Sequence, residues 1–452
     1  MNHRVALFAY AAPAVPLAFL GLPLYVYLPA HYAALPGIGL AAVGGVLLLA
    51  RLIDLVTDPL VGLLSDRLRP HLRPQWLMLP GGALMVGGAW WLFQPPPGAG
   101  SLYLFAWLGA TYLGWTLLAI PYYALGAELG ARDGTPNGQT GVAVWREAGM
   151  IAGTLAALLA PLAVVSGDTL SASALTLLWL APAALVLVLL VPVGRAYGVS
   201  SAPTGGLRTM WRNTGQAARA LLGIHLLNAL AGGTAATLFA LYTGEVIGLD
   251  QRAGGLLLLL YFVCGLLVLP LWTALVRRIG LVRTWRAAML LAATGFLPAA
   301  LLGSGDWLGF AIVCIVTGAT LGADIALPAA IQARIVTAES RRLVRPRGGA
   351  LFGLWGMAGK LSLALAAGIA LPLLAVLSMP ATGLAERDVI PWLYAALPAL
   401  IKLCAVLLLQ RSLLWHSPLA NLDRPVLEIT DEPQDLVPEG AAVGVPAGTR
   451  RL

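Results

Sequence analysis

Long apolar stretches recur along nearly the whole chain, and they restrict its fold more than any other feature. Each is about 20 residues or longer, enough for a helix to cross a hydrocarbon core roughly 30 Å thick. Strands of a membrane barrel would alternate polar and apolar residues, and runs such as 177–193 do not. The sequence therefore predicts an all-α integral membrane protein with twelve transmembrane helices. The predicted spans are 7–33, 39–67, 76–95, 101–130, 139–165, 172–195, 217–248, 253–276, 284–303, 307–333, 348–378 and 389–413.

The composition agrees with this class. Only 11% of the residues are charged, whereas soluble domains contain roughly a quarter, so a soluble protein is excluded. The first stretch is interrupted by prolines and has no small-residue cleavage pattern, so we expect it to remain a membrane helix rather than to be a signal peptide. Cys264, Cys314 and Cys404 lie inside predicted spans at no metal-binding spacing, and we interpret them as packing residues.

Basic residues are concentrated on one side of the predicted spans. Lys and Arg number 28 against 20 Asp and Glu, and 22 of the 28 fall in loops or tails on the side of the two termini. Because cytoplasmic loops are rich in Lys and Arg, both termini are predicted to be cytoplasmic, in the cytoplasmic (inner) membrane of a bacterium. The net charge of +8 is thus a topology signal, and no nucleic-acid partner is predicted. The expected partners are the lipid bilayer and a small-molecule substrate, for a chain acting as a monomer.

A polar loop divides the spans into six and six. The predicted domains are an N-terminal bundle, 1–196, a cytoplasmic loop, 197–216, a C-terminal bundle, 217–413, and a disordered cytoplasmic tail, 414–452. A faint internal repeat supports the division, since segments 62–67 and 272–278 both carry a helix into a short basic loop. Six-helix halves around a central cavity are one of the plans on which transporters are built.

The second span contains three charged residues at helical spacing. Arg51, Asp54 and Asp58 are offset by three and four positions, which places them on one helix face together with much of Thr57. Two carboxylates at this spacing offer oxygen ligands to a small cation, and either could instead carry a proton. The alternative is that Arg51 neutralises Asp54 while Asp58 pairs with another helix. We predict a cation site in which Arg51 and Lys360, near the middle of the eleventh span, balance the charge; a snorkelling role is the alternative for Lys360.

Other charged residues fall within or at the ends of spans. Arg146 and Glu147 follow Trp145 in the first turns of the fifth span, and Arg146 is the better ligand candidate because neighbouring residues point to different faces. An interfacial anchor is the alternative for Arg146. Lys402 lies near the middle of the twelfth span with no evident partner. Three further polar residues could line a path through the membrane: His31, His225 and Asn228. Packing is the preferred interpretation of each.

Several of these segments resemble a known family. Residues 51–67 resemble the second-helix signature of the glycoside-pentoside-hexuronide:cation symporters, the melibiose-permease-like branch of the major facilitator superfamily. Residues 120–129 are similar to that family's fourth-helix motif and 322–324 to its tenth-helix motif, while Lys360 stands where the family has an eleventh-helix lysine. The resemblance covers nearly all of 1–413 and implies the major facilitator superfamily fold.

The resemblance also implies roles for individual residues. It implies that Asp54, Asp58 and Thr116 bind the coupling ion, with Thr57 as an oxygen donor where some members have Asn. Residues implied by the resemblance or by position to contact the substrate are Arg146, Tyr122, Tyr123 and Trp145, and those expected to act in gating are Asp66, Arg67, Glu128 and Asp324. Leu17, Ala18 and Ala119 stand where sugar-binding members have charged residues.

The predicted function is secondary active transport, with cation-coupled symport of a small solute by alternating access. The coupling ion is Na⁺ or H⁺, no cofactor is expected, and no nucleotide-binding loop is present. Because carboxylates are missing from the sugar positions, the solute is sugar-like or a more amphipathic or anionic compound. Alternatives on the same fold are a lysolipid or other amphiphile transporter and an uncoupled uniporter. An intramembrane prenyltransferase, suggested by the Asp54, Asp58 and Asp66 spacing, would need a second acidic cluster, and the other half offers only Asp324.

Overall fold

A computed structural model of the protein describes residues 3–35, 40–132, 138–163, 169–193, 207–343, 345–378, 385–412 and 414. Within these ranges the regular secondary structure is entirely helical. The α-helices are α1 (His3–Ala11), α2 (Ala14–Leu22), α3 (Leu28–Ala33), α4 (Leu40–Leu68), α5 (Pro74–Phe93), α6 (Ser101–Arg132), α7 (Gly138–Ala163), α8 (Thr169–Leu189), α9 (Leu207–Arg212), α10 (Gln216–Leu241), α11 (Gln251–Leu267), α12 (Leu269–Ile279), α13 (Leu281–Phe296), α14 (Trp307–Leu343), α15 (Gly348–Leu377) and α16 (Glu386–Arg411).

Several helices are joined end to end into longer rods. A π-helical turn, Pro23–Tyr27, links α2 to α3, and a second, Tyr242–Ile247, extends α10. Helices α11 and α12 meet at a bend of 41°. With α9 set aside as a short linker helix, the described residues form twelve successive rods, one for each predicted span. The predicted tail lies outside the described residues apart from Leu414, and so does the part of the predicted loop before residue 207.

Ten helices in the described ranges are long and apolar enough to cross a membrane, or eleven if the bent α11 and α12 pair forms one span. The rod that is not among them is α4, which carries Arg51, Asp54 and Asp58 in its middle. Helix α4 nevertheless packs along α6 and α15. Its place in the bundle therefore comes from packing and from partners for its charges, not from apolarity alone.

The apolar core follows the division into two sets of six rods. One cluster of buried side chains is drawn only from the first six rods, between Leu7 and Val193. Another, which includes Tyr242, Phe310 and Tyr394, is drawn only from the last six. Two further clusters contain residues of both sets. Each set of rods thus has its own core, as expected of a molecule built from two bundles.

Helices α4 and α15 bring the two bundles together at one end. A methyl group added to Gly62 would strike the Gly349 carbonyl, and one added to Gly353 would strike the backbone of Asp58. Near the opposite ends of the two helices, a methyl group at Gly45 or Gly368 would meet no atom within 4 Å. The bundles are therefore packed backbone to backbone at the end where α4 finishes and α15 begins, hereafter the Asp66 end.

Candidate functional site

The charged residues of α4 meet two other helices in the middle of the molecule. Asp54 and Asp58 are four residues apart, so they stack on one helix face, and both are buried. The Thr57 hydroxyl donates to the backbone carbonyl of Asp54 at 3.0 Å, which ties this side chain to its own helix. The aspartate face is directed toward Thr116 of α6 and Lys360 of α15.

Lys360 lies between the two carboxylates. Its Nζ is 2.7 Å from Asp54 Oδ2 and 2.6 Å from Asp58 Oδ1. The Thr116 hydroxyl donates to Asp58 Oδ1 at 2.8 Å and lies 3.3 Å from Asp54 Oδ1 and from Lys360 Nζ. The structure therefore brings together four predicted residues from three helices and both bundles. Their formal charges sum to −1, and we call these four residues the inter-bundle site.

Glycines on α15 make room for this contact. A methyl group at Gly356 would lie 2.6 Å from Asp58 Oδ2, and at Gly353 it would strike the Asp58 backbone. The spacing of three residues puts both glycines on the face of α15 that meets α4. The small residues allow close helix approach, as they do at membrane-helix interfaces generally, and this approach lets the Lys360 ammonium reach both carboxylates.

Arg51, the other residue predicted to balance charge, has a different partner. Its guanidinium lies over the ring of Tyr25, 4.5 Å from the ring centroid, in the π-helical turn of the first rod. Among the described residues no ion pair joins Arg51 to Asp54 or Asp58. Lys360 therefore balances only one of the two negative charges of the aspartates, and Arg51 connects α4 to the first rod through a cation–π contact.

The predicted substrate residues form a second group on α6 and α7. Arg146 donates from Nε and Nη2 to Glu147 Oε1 at 3.0 and 2.7 Å, and its guanidinium stacks on Tyr123 at 4.7 Å. Although consecutive residues leave a helix in different directions, the ends of these two long side chains meet in an ion pair. Tyr122 stacks on Tyr10 of α1, with ring centroids 4.7 Å apart. Trp145 differs from this group in being exposed.

Two of the predicted gating residues lie at the Asp66 end: Asp66 caps a helix, and Glu128 forms an ion pair. Asp66 accepts from the backbone N–H of Gly349 at 2.7 Å and of Ala350 at 2.8 Å, so it caps the N-terminus of α15 across the bundle boundary. Glu128 accepts two hydrogen bonds, at 2.7 and 2.6 Å, from Arg69. Arg67 is exposed.

Sequence reasoning missed two further residues at this end. Glu339 accepts from the Gly215 backbone N–H at 2.9 Å, and Arg347 donates to the Asn213 carbonyl at 3.1 Å and lies 3.5 Å from Glu339. The available signal was the cluster of basic residues before α15, in which Arg347 is the last member. These contacts attach the linker after α9 to the C-terminal bundle.

Asp324, predicted to act in gating, lies away from the Asp66 end. It is near the middle of α14, where Lys402 Nζ of α16 is 2.6 Å from its Oδ2. The same Nζ donates to Asn228 Oδ1 of α10 at 2.9 Å. Lys402, which has no partner evident in the sequence, therefore has two in the fold, and all three residues belong to the C-terminal bundle.

Twelve helical rods in two bundles, with buried charges from both meeting between them, are the architecture of a membrane transporter of the major facilitator superfamily (MFS). The chain belongs to the family described as MFS/sugar transport protein, whose model matches residues 9–414. It is thus an integral membrane transporter of a small molecule, and not an enzyme. Among curated proteins, none matches this sequence.

Solved transporters share the fold. A bacterial homologue of the iron transporter ferroportin, in an outward-facing state, is similar with a TM-score of 0.65 at 17% sequence identity, over 92% of this chain and 100% of that one. The E. coli fucose:proton symporter is similar with a TM-score of 0.61 at 14% identity, over 90% of this chain and 97% of that one. At these identities the likeness establishes the fold alone.

Proposed function

We propose that this protein is a cation-coupled symporter that carries a small solute together with Na⁺ or H⁺ by alternating access. The observation that carries the proposal is the position of the Lys360 ammonium, 2.7 and 2.6 Å from the carboxylates of Asp54 and Asp58 and beside Thr116. The motif resemblance to the glycoside-pentoside-hexuronide:cation symporters supports the same assignment.

The charge of the inter-bundle site favours cation binding. Two carboxylates and one ammonium leave a formal excess of −1 in a buried place, where an unbalanced charge is expensive. A bound Na⁺, or a proton on one carboxyl, brings the sum to zero. Each would also compete with Lys360 for the same oxygens. A proton removes the negative charge that attracts the ammonium, and Na⁺ within a few ångströms of the ammonium repels it strongly when both are poorly solvated. Ion binding and the Lys360 contact are therefore expected to oppose each other.

This competition links the ion to the arrangement of the bundles. The carboxylates belong to α4 and the ammonium to α15, so the contact joins the N-terminal bundle to the C-terminal one. Ion binding weakens the contact between Lys360 and the two carboxylates. Because this contact exists only when the bundles are packed together, the ion has different affinities for the packed and the separated bundles, and it therefore shifts the equilibrium between them. With both termini cytoplasmic in a bacterial inner membrane, as we propose, the packed Asp66 end is the cytoplasmic gate.

The second part of the proposal concerns the solute. Arg146, Tyr122 and Tyr123 lie on α6 and α7, and Tyr123 packs against Phe352 of α15, with ring centroids 5.8 Å apart. Aromatic faces with one buried ion pair suit a solute that has both apolar and polar surface. We therefore propose a sugar-like, or a more amphipathic or anionic, compound as the solute and a monomer as the carrier.

The direct test is ion binding by purified protein. Thermal unfolding is followed against increasing Na⁺, with K⁺ as control, and against pH, because a ligand stabilises the state that it binds. We expect Na⁺ or acidification to stabilise the wild type and to lose this effect in Asp58→Asn. Asp306→Asn, an exposed carboxylate at the start of α14, is the matched control and should respond as the wild type does.

Transport in vesicles separates coupled from uncoupled carriers. Uptake that depends on a Na⁺ or H⁺ gradient in the wild type, and no longer in Asp58→Asn, supports symport. If Asp58→Asn retains the full ion response in both assays, the coupling role of this site is wrong, and an uncoupled uniporter becomes the better description.

A further inference from the structure

The sequence contains only two lysines, and both lie in the middle of spanning helices, Lys402 buried and Lys360 partly buried. Lys360 belongs to the inter-bundle site. Lys402 is held by Asp324 Oδ2 at 2.6 Å and Asn228 Oδ1 at 2.9 Å, and Asn228 Nδ2 donates to the Asp324 backbone carbonyl at 3.3 Å. We call Asn228, Asp324 and Lys402 the C-bundle triad. The coupling mechanism proposed above makes no use of it.

An internal repeat puts the triad at the level of the inter-bundle site. Helix α6 contains the sequence Ala-Ile-Pro, ending at Pro121, and α14 contains Ala-Leu-Pro, ending at Pro328. These prolines lie 20 and 21 residues after the starts of their helices, Ser101 and Trp307. Thr116 precedes its proline by five residues and Asp324 precedes its own by four. Asp324 therefore lies at nearly the same depth along its helix in the C-terminal bundle as Thr116 does in the N-terminal one.

One oxygen of the triad has no partner. Asp324 Oδ1 is buried and accepts no hydrogen bond from the described residues, although Oδ2 is bonded to Lys402. A buried acceptor without a donor destabilises a fold, and among the fourteen buried side-chain atoms of the described residues that have no hydrogen-bond partner Asp324 Oδ1 is the one carboxylate oxygen. A binding partner that arrives during the transport cycle would satisfy this oxygen.

The charge of the triad limits which kind of group can bind at Asp324 Oδ1. Asp324 and Lys402 together are neutral, in contrast to the excess of −1 in the inter-bundle site. A proton on Asp324 would leave the Lys402 ammonium, whose side chain is only 5% exposed, without a counter-charge. A metal cation or an ammonium group at Oδ1 would add positive charge beside Lys402. An uncharged donor adds no charge and satisfies the oxygen.

We propose that Asp324 is a solute-binding residue that accepts, at Oδ1, a hydrogen bond from a hydroxyl group of an uncharged, hydroxyl-bearing solute. Lys402 and Asn228 are positioning residues that hold the carboxylate in place through Oδ2 and the backbone. The proposal rests on the proposed function to the extent that the chain carries a solute between its bundles. It adds a binding position and the chemistry of the group bound there.

Lysine-selective NMR tests this proposal because the chain has two lysines. Protein labelled at lysine Cε and Nζ gives two side-chain signals, which Lys360→Arg and Lys402→Arg assign. The probes are uncharged hexoses, disaccharides and inositol, together with two charged relatives, glucuronate and glucosamine. We expect at least one uncharged probe to move the Lys402 signal saturably, and its charged relatives to bind at least tenfold more weakly.

Variants connect the response to Asp324. Because hydrogen bonds to charged groups are among the stronger ones, Asp324→Asn should weaken binding of that probe tenfold or more. Asp306→Asn should leave it unchanged. Lys402→Arg keeps the charge and should bind the probe more tightly than Lys402→Gln does. A purely structural role for Lys402 predicts lower thermal stability with unchanged affinity in Lys402→Gln.

The double variant Asp324→Asn/Lys402→Gln controls for misfolding. It removes both charges together, so neither is left buried without its partner. It should lose probe-induced thermal stabilisation and keep the response of Lys360 to Na⁺ or pH. The proposal is overturned if no uncharged probe moves the Lys402 signal, if only charged probes do, or if Asp324→Asn binds within twofold of the wild type. If the Lys360 signal of the wild type changes with neither Na⁺ nor pH, the coupling proposal is wrong. That outcome does not affect the conclusion drawn from the Lys402 signal.

Discussion

Lys360 and Lys402 lie at similar depth in neighbouring helices, yet their surroundings differ in charge and in origin. Lys360 contacts two carboxylates from the other bundle and keeps 24% of its side chain exposed. Lys402 contacts one carboxylate of its own bundle and is 5% exposed. The inter-bundle site thus carries an excess charge of −1, and its contacts join the two bundles. The Asp324–Lys402 pair of the C-bundle triad is neutral, and all three residues of the triad belong to one bundle.

The largest expected effect follows from removing the more deeply buried lysine. Lys402→Met leaves Asp324 buried without a counter-charge, and breaking such a pair typically costs about 3–5 kcal/mol of stability. Lys360→Met should cost less, because Na⁺ or a proton can compensate the carboxylates that remain. Thermal unfolding in detergent at several Na⁺ concentrations and pH values measures both. A greater or ion-independent loss in Lys360→Met would remove the distinction between the two lysines.

Next in size is the loss of ion binding in the inter-bundle site. Asp58→Asn brings the site to neutrality with Lys360 in place, so we expect the affinity for the coupling ion to fall by about 100-fold, roughly 2.7 kcal/mol. Isothermal titration with Na⁺, and proton uptake on acidification, give the affinity. The triad variant Asp324→Asn is the informative comparison, and an equal loss of ion affinity there would contradict the division of roles.

A smaller effect is expected at the Asp66 end. Asp66→Ala removes the cap on α15, which is worth about 0.5–2 kcal/mol, so a population open at that end should rise by about twofold to 30-fold. Spin labels at Leu72 and Arg341, both exposed, report the separation of the bundles in a cysteine-free background. Labels at Ile312 and Leu400, both exposed on the C-terminal bundle, should keep their distance. A change in the distance between the labels at Ile312 and Leu400 would mean that the C-terminal bundle does not move as a unit.

The smallest effect concerns the glycine beside Asp58. In Gly356→Ala the new methyl group lies 2.6 Å from Asp58 Oδ2 and pushes the carboxylate aside. We expect the ion affinity to fall about three- to tenfold, about 1 kcal/mol, with little change in fold stability. Gly368→Ala on the same helix meets no atom within 4 Å and is the matched control. Equal affinities in the two variants would show that the approach of α15 to α4 does not set the geometry of the site.

Local sequence patterns predicted much of this arrangement. The succession of twelve rods follows from the apolar stretches, and the spacing of Asp54 and Asp58 alone places them on one helix face. Lys360 was predicted as their charge partner because it is one of few ionisable groups within a span. These successes share a cause, since inside a membrane each charge needs a partner and few partners exist.

The remaining contacts depend on packing between distant segments. Asp66 caps a helix that begins 282 residues later, at Gly348, and Lys402 meets Asp324 across two helices that are not consecutive. Arg51 was expected to balance an aspartate three residues away, but the π-helical turn brings Tyr25 under its guanidinium. No pattern within one helix specifies which helix will face it. Such pairings are therefore read from the fold and not from the sequence.

The central claim is that the coupling ion and Lys360 compete for the same carboxylates. It is tested most directly by titrating lysine-labelled wild-type protein with Na⁺, and separately with acid, while both lysine signals are followed. The account predicts that the Lys360 signal shifts saturably with one of the two ions and that the Lys402 signal stays in place. A Lys360 signal that is unmoved by both ions, or an equal shift of both lysines, would contradict it.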